Sequence, residues 1–185
     1  MERLAAGRDD ALNELMERHG ERLFHYLIRL LQNEGDAEDL AQESFVRVYQ
    51  HRARYNARQK FSTWLYAIAS NLARDRFRWR ARHPQISLEA ESEESGAVLA
   101  DLLAEQKPSP SQSVEAIERA AAVRAAVAAL PEDLRLPLVL AEYQNQTQAE
   151  IAAVLDCSVK AVEMRIYRAR QHLRERLQSV LETDA

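Results

Sequence analysis

Apolar side chains recur three and four positions apart through most of this chain, and the breaks in that rhythm divide it into helices. From Asp10 to Gln32 the spacing of Leu12, Leu15, Met16, Leu23, Leu27 and Leu30 predicts one helix. Gly20 interrupts it, as a kink or as a point of close packing. Asn33-Glu34-Gly35 is a break, after which Asp36 is placed to cap a second helix running to about Arg54. Leu40, Phe45, Val46 and Tyr49 form its apolar side. Tyr55 to Lys60 reads as a polar loop. A third helix follows from near Ser62 to about Arg82, ended by Pro84, with Trp64, Leu65, Ile68 and Leu72 on its core face. Phe77 and Trp79 lie two apart and cannot share a helix face, so at least one is exposed or packs on a neighbouring domain.

The pattern changes character over residues 84–113, which are acidic, carry serines and include Lys107-Pro108-Ser109-Pro110-Ser111. They read as a flexible acidic linker, with a short helix around Val98–Leu103. Helical spacing resumes from Ser113 to Leu130 and from Pro131 to Gln144, with proline in the first turn. Thr147 and Glu150 then form a capping box, and Ile151, Val154 and Leu155 share one face. Asp156-Cys157-Ser158 breaks that helix, and Ser158 caps another in which Val159, Val162, Ile166 and Leu173 point inward. Lys160, Glu163, Arg165 and Arg168 are left on more exposed faces. A short helix, a tight turn and a cationic second helix make a helix-turn-helix, whose second helix usually enters the DNA major groove. An ordinary helical hairpin with solvated charges is the alternative for that segment taken alone. The fold class is all-α: two small helical domains, residues 1–83 and 114–185, joined by the acidic linker, with no internal repeat.

Composition narrows the function. Hydrophobic residues make up 46% of the 185, enough for real cores, and 4 glycines with 5 prolines are too few for a loop-rich β protein. The single cysteine, Cys157, excludes an internal disulfide and a zinc cluster. The N-terminal MERLAAGRDD carries no long apolar run, and no stretch approaches a membrane span, so a cytoplasmic protein without its own membrane insertion is expected. His19, His25, His51, His83 and His172 are scattered, with no metal spacing, nucleophile motif or glycine-rich phosphate loop. No catalytic, cofactor or metal residue is expected, and the chain is read as not an enzyme.

A net charge of −4 looks wrong for a nucleic-acid binder until its distribution is considered. Between His51 and Arg82 nine lysines and arginines face one acid, Asp75; between His83 and Ser113 six acids face one lysine. Phosphates respond to the local basic face, not to the total. Within Lys60–Arg82 the aromatics Phe61, Trp64, Tyr66, Phe77 and Trp79 interleave with Arg74, Arg76, Arg78, Arg80 and Arg82, which suits single-stranded nucleic acid stacking on rings while arginines neutralise phosphate. A merely solvated arginine face is the alternative. Acids at Asp36 and Glu38 are accounted for by the helix dipole. Asp39, Gln42 and Glu43 are not: they make a polar ridge beside Phe45 and Tyr49 that suits a partner with a basic helical surface.

Together these pieces resemble a group 4, extracytoplasmic-function, sigma factor of the bacterial sigma-70 family, over nearly the whole chain. Asp36 to Phe45, DAEDLAQESF, is similar to that family's region 2.2. Phe61 to Ala69, FSTWLYAIA, followed by Asn71, resembles regions 2.3 and 2.4. Leu130-Pro131, Tyr143, Glu150-Ile151-Ala152, Val162 and the run Arg165, Arg168, Ala169 and Arg170 resemble region 4. The resemblance implies that Asp39, Gln42, Glu43, Phe45 and Tyr49 bind RNA polymerase core, with contacts to the clamp helices and flap of its two large subunits. It implies that Tyr55, Asn56, Lys60, Phe61, Ser62, Asn71, Arg74 and Arg78 bind −10 promoter DNA, capturing an unstacked base. It assigns Thr147, Ser158, Lys160, Ala161, Glu163, Arg165 and Arg168 to the −35 duplex. It further implies that the linker threads polymerase channels in place of a σ3 domain, and that an anti-sigma factor holds the protein silent.

The chain departs from the family pattern in two places. Asp156 stands where a glycine often precedes the cysteine, and Asp tolerates positive φ. Glu163-Met164 stands where lysine-serine is frequent; Glu163 can accept from a cytosine N4 amino group or pair with a neighbouring arginine. The competing reading is a two-domain helix-turn-helix regulator that does not associate stably with core polymerase. It predicts neither the acidic ridge nor the cationic aromatic helix.

Overall fold

A computed structural model describes residues 1–83 and 110–182, with side chains over 1–83 and 119–178. Its α-helices are α1 (Glu2–Ala5), α2 (Asp10–Leu31), α3 (Glu34–Gln50), α4 (Phe61–Arg82), α5 (Pro110–Ala128), α6 (Glu132–Gln144), α7 (Gln148–Leu155) and α8 (Val159–Glu182), with a 3-10 turn at Arg52–Arg54. Among the described residues there is no strand. Most of the 84–113 linker, and the expected helix at Val98–Leu103, lie outside the described residues. Residues 110–113 do not belong to a linker, because α5 already begins at Pro110.

Local chemistry sets most boundaries. Asn33, not Asp36, caps α3: its side-chain oxygen accepts the backbone N–H of Asp36 at 2.8 Å, and the helix starts inside the expected break. Asp36 is thereby released to accept from Arg76 at 2.8 Å and Arg80 at 2.6 Å, tying α3 to α4. Helix α2 ends on Gln32 and α6 on Asn145, both left-handed with φ of 53° and 50°. Gly20 neither ends α2 nor admits a close neighbour: a Cβ built there meets nothing within 4 Å.

The core of the first half comes from α2, α3 and α4, with Leu23, Leu27, Ile28, Val48, Leu65 and Ala69 fully or almost fully buried. Inside it Tyr26 and Ser70, both without exposure, share a hydrogen bond of 2.7 Å. Burial pushes the Tyr26 phenol far above its ordinary value. Three positions expected in the core are exposed instead: Met16, Val46 and Val159. The second half buries Leu136, Val139 and Leu140 of α6 against Ile151, Val154, Val162 and Ile166 of the last two helices. A buried leucine or isoleucine is worth roughly 1.5–3 kcal/mol, so these layers dominate the stability of each half.

The two halves also pack on one another, α2 against α6 and α4 against α7, and their buried side chains form one continuous cluster. The Tyr66 hydroxyl donates to Gln144 at 2.5 Å, and the Arg29 guanidinium lies 4.4 Å from the Tyr143 ring centre. Arg135 of α6 donates to the carbonyl of Leu30 at 2.7 Å, with its guanidinium 5.3 Å from the Phe77 ring centre. Phe77 is thus taken up between the halves while Trp79 remains exposed, as their two-residue spacing requires.

Candidate nucleic-acid and partner surfaces

Three surfaces carry the candidate residues. The first is the outer side of α3. Asp39 and Gln42 are exposed, and Glu43 is half-buried in an ion pair with Arg47 at 2.8 Å. Val46 continues the same stripe at the i, i+3, i+4, i+7 spacing of a helix face. These four face Arg76, Arg78, Trp79 and Arg82 of α4 across an open groove of ≈ 1350 Å³. Arg47 on the α3 wall and Asp75 on the α4 wall line it too, so both walls carry charges of both signs and the α4 wall is the more cationic. Phe45 is not on this surface. It is 4% exposed and points into the core, so its side chain has no contact to offer a partner. Tyr49 is half-buried at the flank, under the Arg52 guanidinium at 4.1 Å, and its hydroxyl donates to Asp9 at 3.2 Å.

The second surface is the loop before α4. The Tyr55 hydroxyl donates to the Gln59 carbonyl at 2.6 Å and closes the loop, while the Asn56 side chain accepts the Arg58 N–H at 3.0 Å in an Asx turn. The rings of Tyr55, Phe61 and Trp64 cluster here, Tyr55 to Trp64 at 5.2 Å and Tyr55 to Phe61 at 6.5 Å. His19 of α2 meets Phe61 edge-on at 4.9 Å, and burial lowers its pKa. A hollow of ≈ 320 Å³ opens between Tyr55, Ala57 and Phe61 and the N-terminal Met1 to Arg3. Ser62 is half-buried beside this cluster and Lys60 is exposed.

The structure divides the sequence-predicted −10 set. Tyr55, Asn56, Lys60, Phe61 and Ser62 come together at the loop. Asn71, Arg74 and Arg78 lie further along α4, where a separation of 14 residues from Lys60 to Arg74 is about 20 Å of helix. Arg78 pairs with Asp75 in the groove of the first surface. Asn71 accepts from Arg74 at 3.2 Å, and Arg74 also reaches Glu132 of α6 at 3.6 Å.

The third surface is the helix-turn-helix, α7 and α8. The capping box is present: Thr147 Oγ1 accepts the Glu150 N–H at 3.3 Å and Glu150 accepts the Thr147 N–H at 2.8 Å. Asp156 takes the left-handed conformation at φ 51°, and the N–H of Cys157 returns to the Ala152 carbonyl at 3.0 Å. Ser158 Oγ accepts the Ala161 N–H at 3.1 Å and starts α8. Val162, Ile166 and Ala169 anchor this helix to the core, which turns Lys160, Glu163 and Arg168 outward and leaves Ala161 half-buried. Lys160 pairs with Glu163 at 2.8 Å, so the acid's partner is lysine within its own helix.

Arg165 departs from expectation. It is half-buried and lines a hollow of ≈ 350 Å³ with Arg74, Glu132, Asp133, Leu136 and Leu155. Two arginines thus flank the acidic start of α6, and burial raises the pKa of Glu132. A second contact joins the surfaces: Lys60 Nζ lies 2.6 Å from Glu150, and that bond, with the Thr147 N–H, holds the Glu150 carboxyl at about 2. The sequence reading missed Val46 on the ridge and Met164 and Tyr167 on α8. All three are large apolar side chains left exposed, and Val46 was legible from its spacing to Asp39. Among the described residues no group of histidine, cysteine or carboxylate side chains could hold a metal ion, and no helix is long and apolar enough to cross a membrane.

The family model for Sigma-70 region 2 matches residues 15–83, and that for Sigma-70, region 4 matches residues 120–173. The RNA polymerase sigma-H factor of Pseudomonas aeruginosa is 31% identical over 181 residues, covering 98% of this chain and 93% of the relative. The ECF RNA polymerase sigma-E factor of Escherichia coli K12 is 32% identical over 185 residues, covering 98% and 94%. The ECF RNA polymerase sigma factor SigW of Bacillus subtilis is 31% identical over 175 residues, covering 94% and 92%. Among solved structures, CnrH in complex with the cytosolic domain of CnrY superimposes with a TM-score of 0.66 at 29% identity, covering 99% of this chain and 95% of that one. The sigma factor RpoE of Bartonella quintana, solved with the anti-sigma factor NepR, shares the fold at a TM-score of 0.66 and 18% identity, covering 90% and 96%.

Proposed function

The chain belongs to the extracytoplasmic-function group of the sigma-70 family, and from that premise we propose which of its surfaces carries each step of promoter recognition. As a sigma factor it serves RNA polymerase in transcription initiation. Residues 1–83 dock on core polymerase and take the −10 element, and residues 114–185 read the −35 duplex. The ridge of Asp39, Gln42 and Glu43, extended by Val46, meets a basic surface on the clamp helices. Tyr49 flanks it and Phe45 supports it from beneath. The Tyr55–Ser62 loop takes an unstacked −10 base among its rings, and stacking of that kind is worth roughly 1–3 kcal/mol per base. Lys60, Asn71, Arg74 and Arg78 follow the strand's phosphates. Thr147, Ser158, Lys160, Ala161, Glu163 and Arg168 face the −35 duplex, with Arg165 at the edge of that surface.

The observation that carries this reading is the outer face of α8. Its helix is fixed at both turn and core, yet Lys160 and Arg168 stay exposed on the side away from that core. Lys60 and Arg74 exchange their ion pairs with Glu150 and Glu132 for phosphates, a small cost for side chains at the surface. An anti-sigma protein is the further partner, acting in the cytoplasm; the support is that CnrH was solved with the cytosolic domain of CnrY.

Two double variants separate the assignments. Asp39→Arg with Glu43→Arg brings like charges against a basic partner and should abolish co-elution with core polymerase. Lys160→Ala with Arg168→Ala should leave co-elution intact and abolish −35-dependent initiation. Unchanged core binding by the first pair would remove the ridge from the core interface.

A further inference from the structure

The most unusual feature of α8 is what lies between its cations. With 3.6 residues per turn, Lys160, Met164, Tyr167 and Gln171 fall on the side opposite Val162, Ile166 and Ala169, which are buried. Met164 is 40% exposed and Tyr167 57% exposed, the largest apolar surfaces on this face. A helix face that met only water would carry polar side chains at those positions. Tyr167 is also oriented: its hydroxyl oxygen accepts from Gln171 Nε2 at 3.0 Å, which lays the ring along the helix and leaves its own O–H to donate. Of the charges beside Met164 and Tyr167, Lys160 pairs with Glu163 at 2.8 Å at an exposed position, and Arg168 is exposed.

We infer that Met164 and Tyr167 form an apolar reading strip for the 5-methyl groups of thymines in the −35 duplex. The inference rests on the proposed placement of α8 in the major groove. There the thymine methyl is the one apolar feature a base pair presents, and it is read by apolar contact. Lys160 and Arg168 bracket the strip and fit the phosphates on either side. The rise from Lys160 to Tyr167 is about 10 Å, close to three base-pair steps of about 3.4 Å each. Met164, unbranched and polarizable, adapts to a methyl at either of two steps. A protein partner would also accept an exposed methionine and tyrosine. The cationic flanks and the helix-turn-helix setting favour duplex DNA, and the test separates the two.

Holoenzyme assembled from the full chain and core polymerase is first used to select a −35 sequence from a promoter library. Its affinity is then measured for that promoter and for copies in which single −35 thymines are replaced by deoxyuridine, which deletes the methyl alone. Wild type should lose about fourfold at one or two positions, the burial of a single methyl. Met164→Ala and Tyr167→Ala should bind thymine and deoxyuridine equally at those positions. Lys160→Ala should bind more weakly overall and keep the difference. Alanine is the best helix former and both sites are exposed, so the variants fold. A −35-dependent holoenzyme with no response to deoxyuridine, or one whose response survives both alanine substitutions, overturns the strip alone. Indifference to scrambling the whole −35 element overturns the groove placement and the strip with it.

Discussion

Arg135 ties one half to the other. Its guanidinium donates to the Leu30 carbonyl at 2.7 Å near the end of α2, and to Leu130 at 2.8 Å and Ala128 at the end of α5. These are carbonyls that helix termination leaves without partners. Burial depresses the Arg135 pKa, though an arginine remains charged at any working pH. Arg135→Met keeps the length of the side chain and removes all three bonds. Each charge-assisted bond is worth roughly 1.5–3 kcal/mol. Relief of the buried guanidinium's desolvation, and of its Nε, which is buried and unpartnered, offsets part of the sum. The net loss expected is about 2–4 kcal/mol. For a chain of this size that lowers Tm by about 4–16 °C. Because Leu30 and Leu130 belong to different halves, the melting profile should also broaden toward two transitions. Thermal and urea unfolding followed by circular dichroism measure both effects. The control is Arg170→Met, which breaks an exposed pair with Glu142 and should cost well under about 1 kcal/mol. An Arg135→Met protein that melts with wild type in one sharp transition would refute the reasoning.

Three further outcomes are expected. Glu150 has a folded pKa of about 2 against an ordinary 4.5, chiefly through its bond from Lys60. Its contribution is therefore complete above about pH 4.5 and fades as pH falls through about 2, so Glu150→Gln should flatten the acid limb of a stability–pH profile; an unaltered limb would contradict this. Tyr26→Phe leaves Ser70 buried without its partner and should cost about 1–3 kcal/mol, while Tyr26→Phe with Ser70→Ala should cost less than the two single changes added; strict additivity in urea unfolding would show the bond contributes nothing. Lys160→Ala and Arg168→Ala should each lower the slope of log affinity against log salt by about 1 for −35 DNA; an unchanged slope would remove that residue from the phosphates.

What was legible in the sequence was local. The Thr147–Glu150 capping box, the left-handed Asp156 and the Ser158 cap are chemistry within three residues, and each stands as expected. Asp36 shows where local reading fails. An acid near a helix start reads as a cap, but Asn33 competes for that role, and the true partners of Asp36 are arginines about 40 residues away. Phe45 and Val46 are neighbours about 100° apart on one helix and both belong to its apolar side by spacing; the rotation of α3 buries Phe45, which the resemblance assigns to core polymerase, and leaves Val46 exposed beside Asp39 and Gln42. Arg165 was assigned to DNA from its place in the recognition helix, yet it is half-buried because α6 presents Glu132 and Asp133 beside it. That neighbour is a tertiary fact, as is the packing of α2 on α6 and α4 on α7, and no periodicity encodes either. Met164 and Tyr167 have no assigned place in the helical spacing; their exposure follows from the rotation of α8 that buries Val162, Ile166 and Ala169.

The most direct measurement is run-off transcription by purified bacterial core polymerase, with and without this protein, on a library of random promoter DNA. Protein-dependent transcripts whose templates share a spaced −35/−10 pair are the expected result. Core polymerase that gains no transcripts, while the protein alone selects duplex sites, would contradict promoter recognition through core.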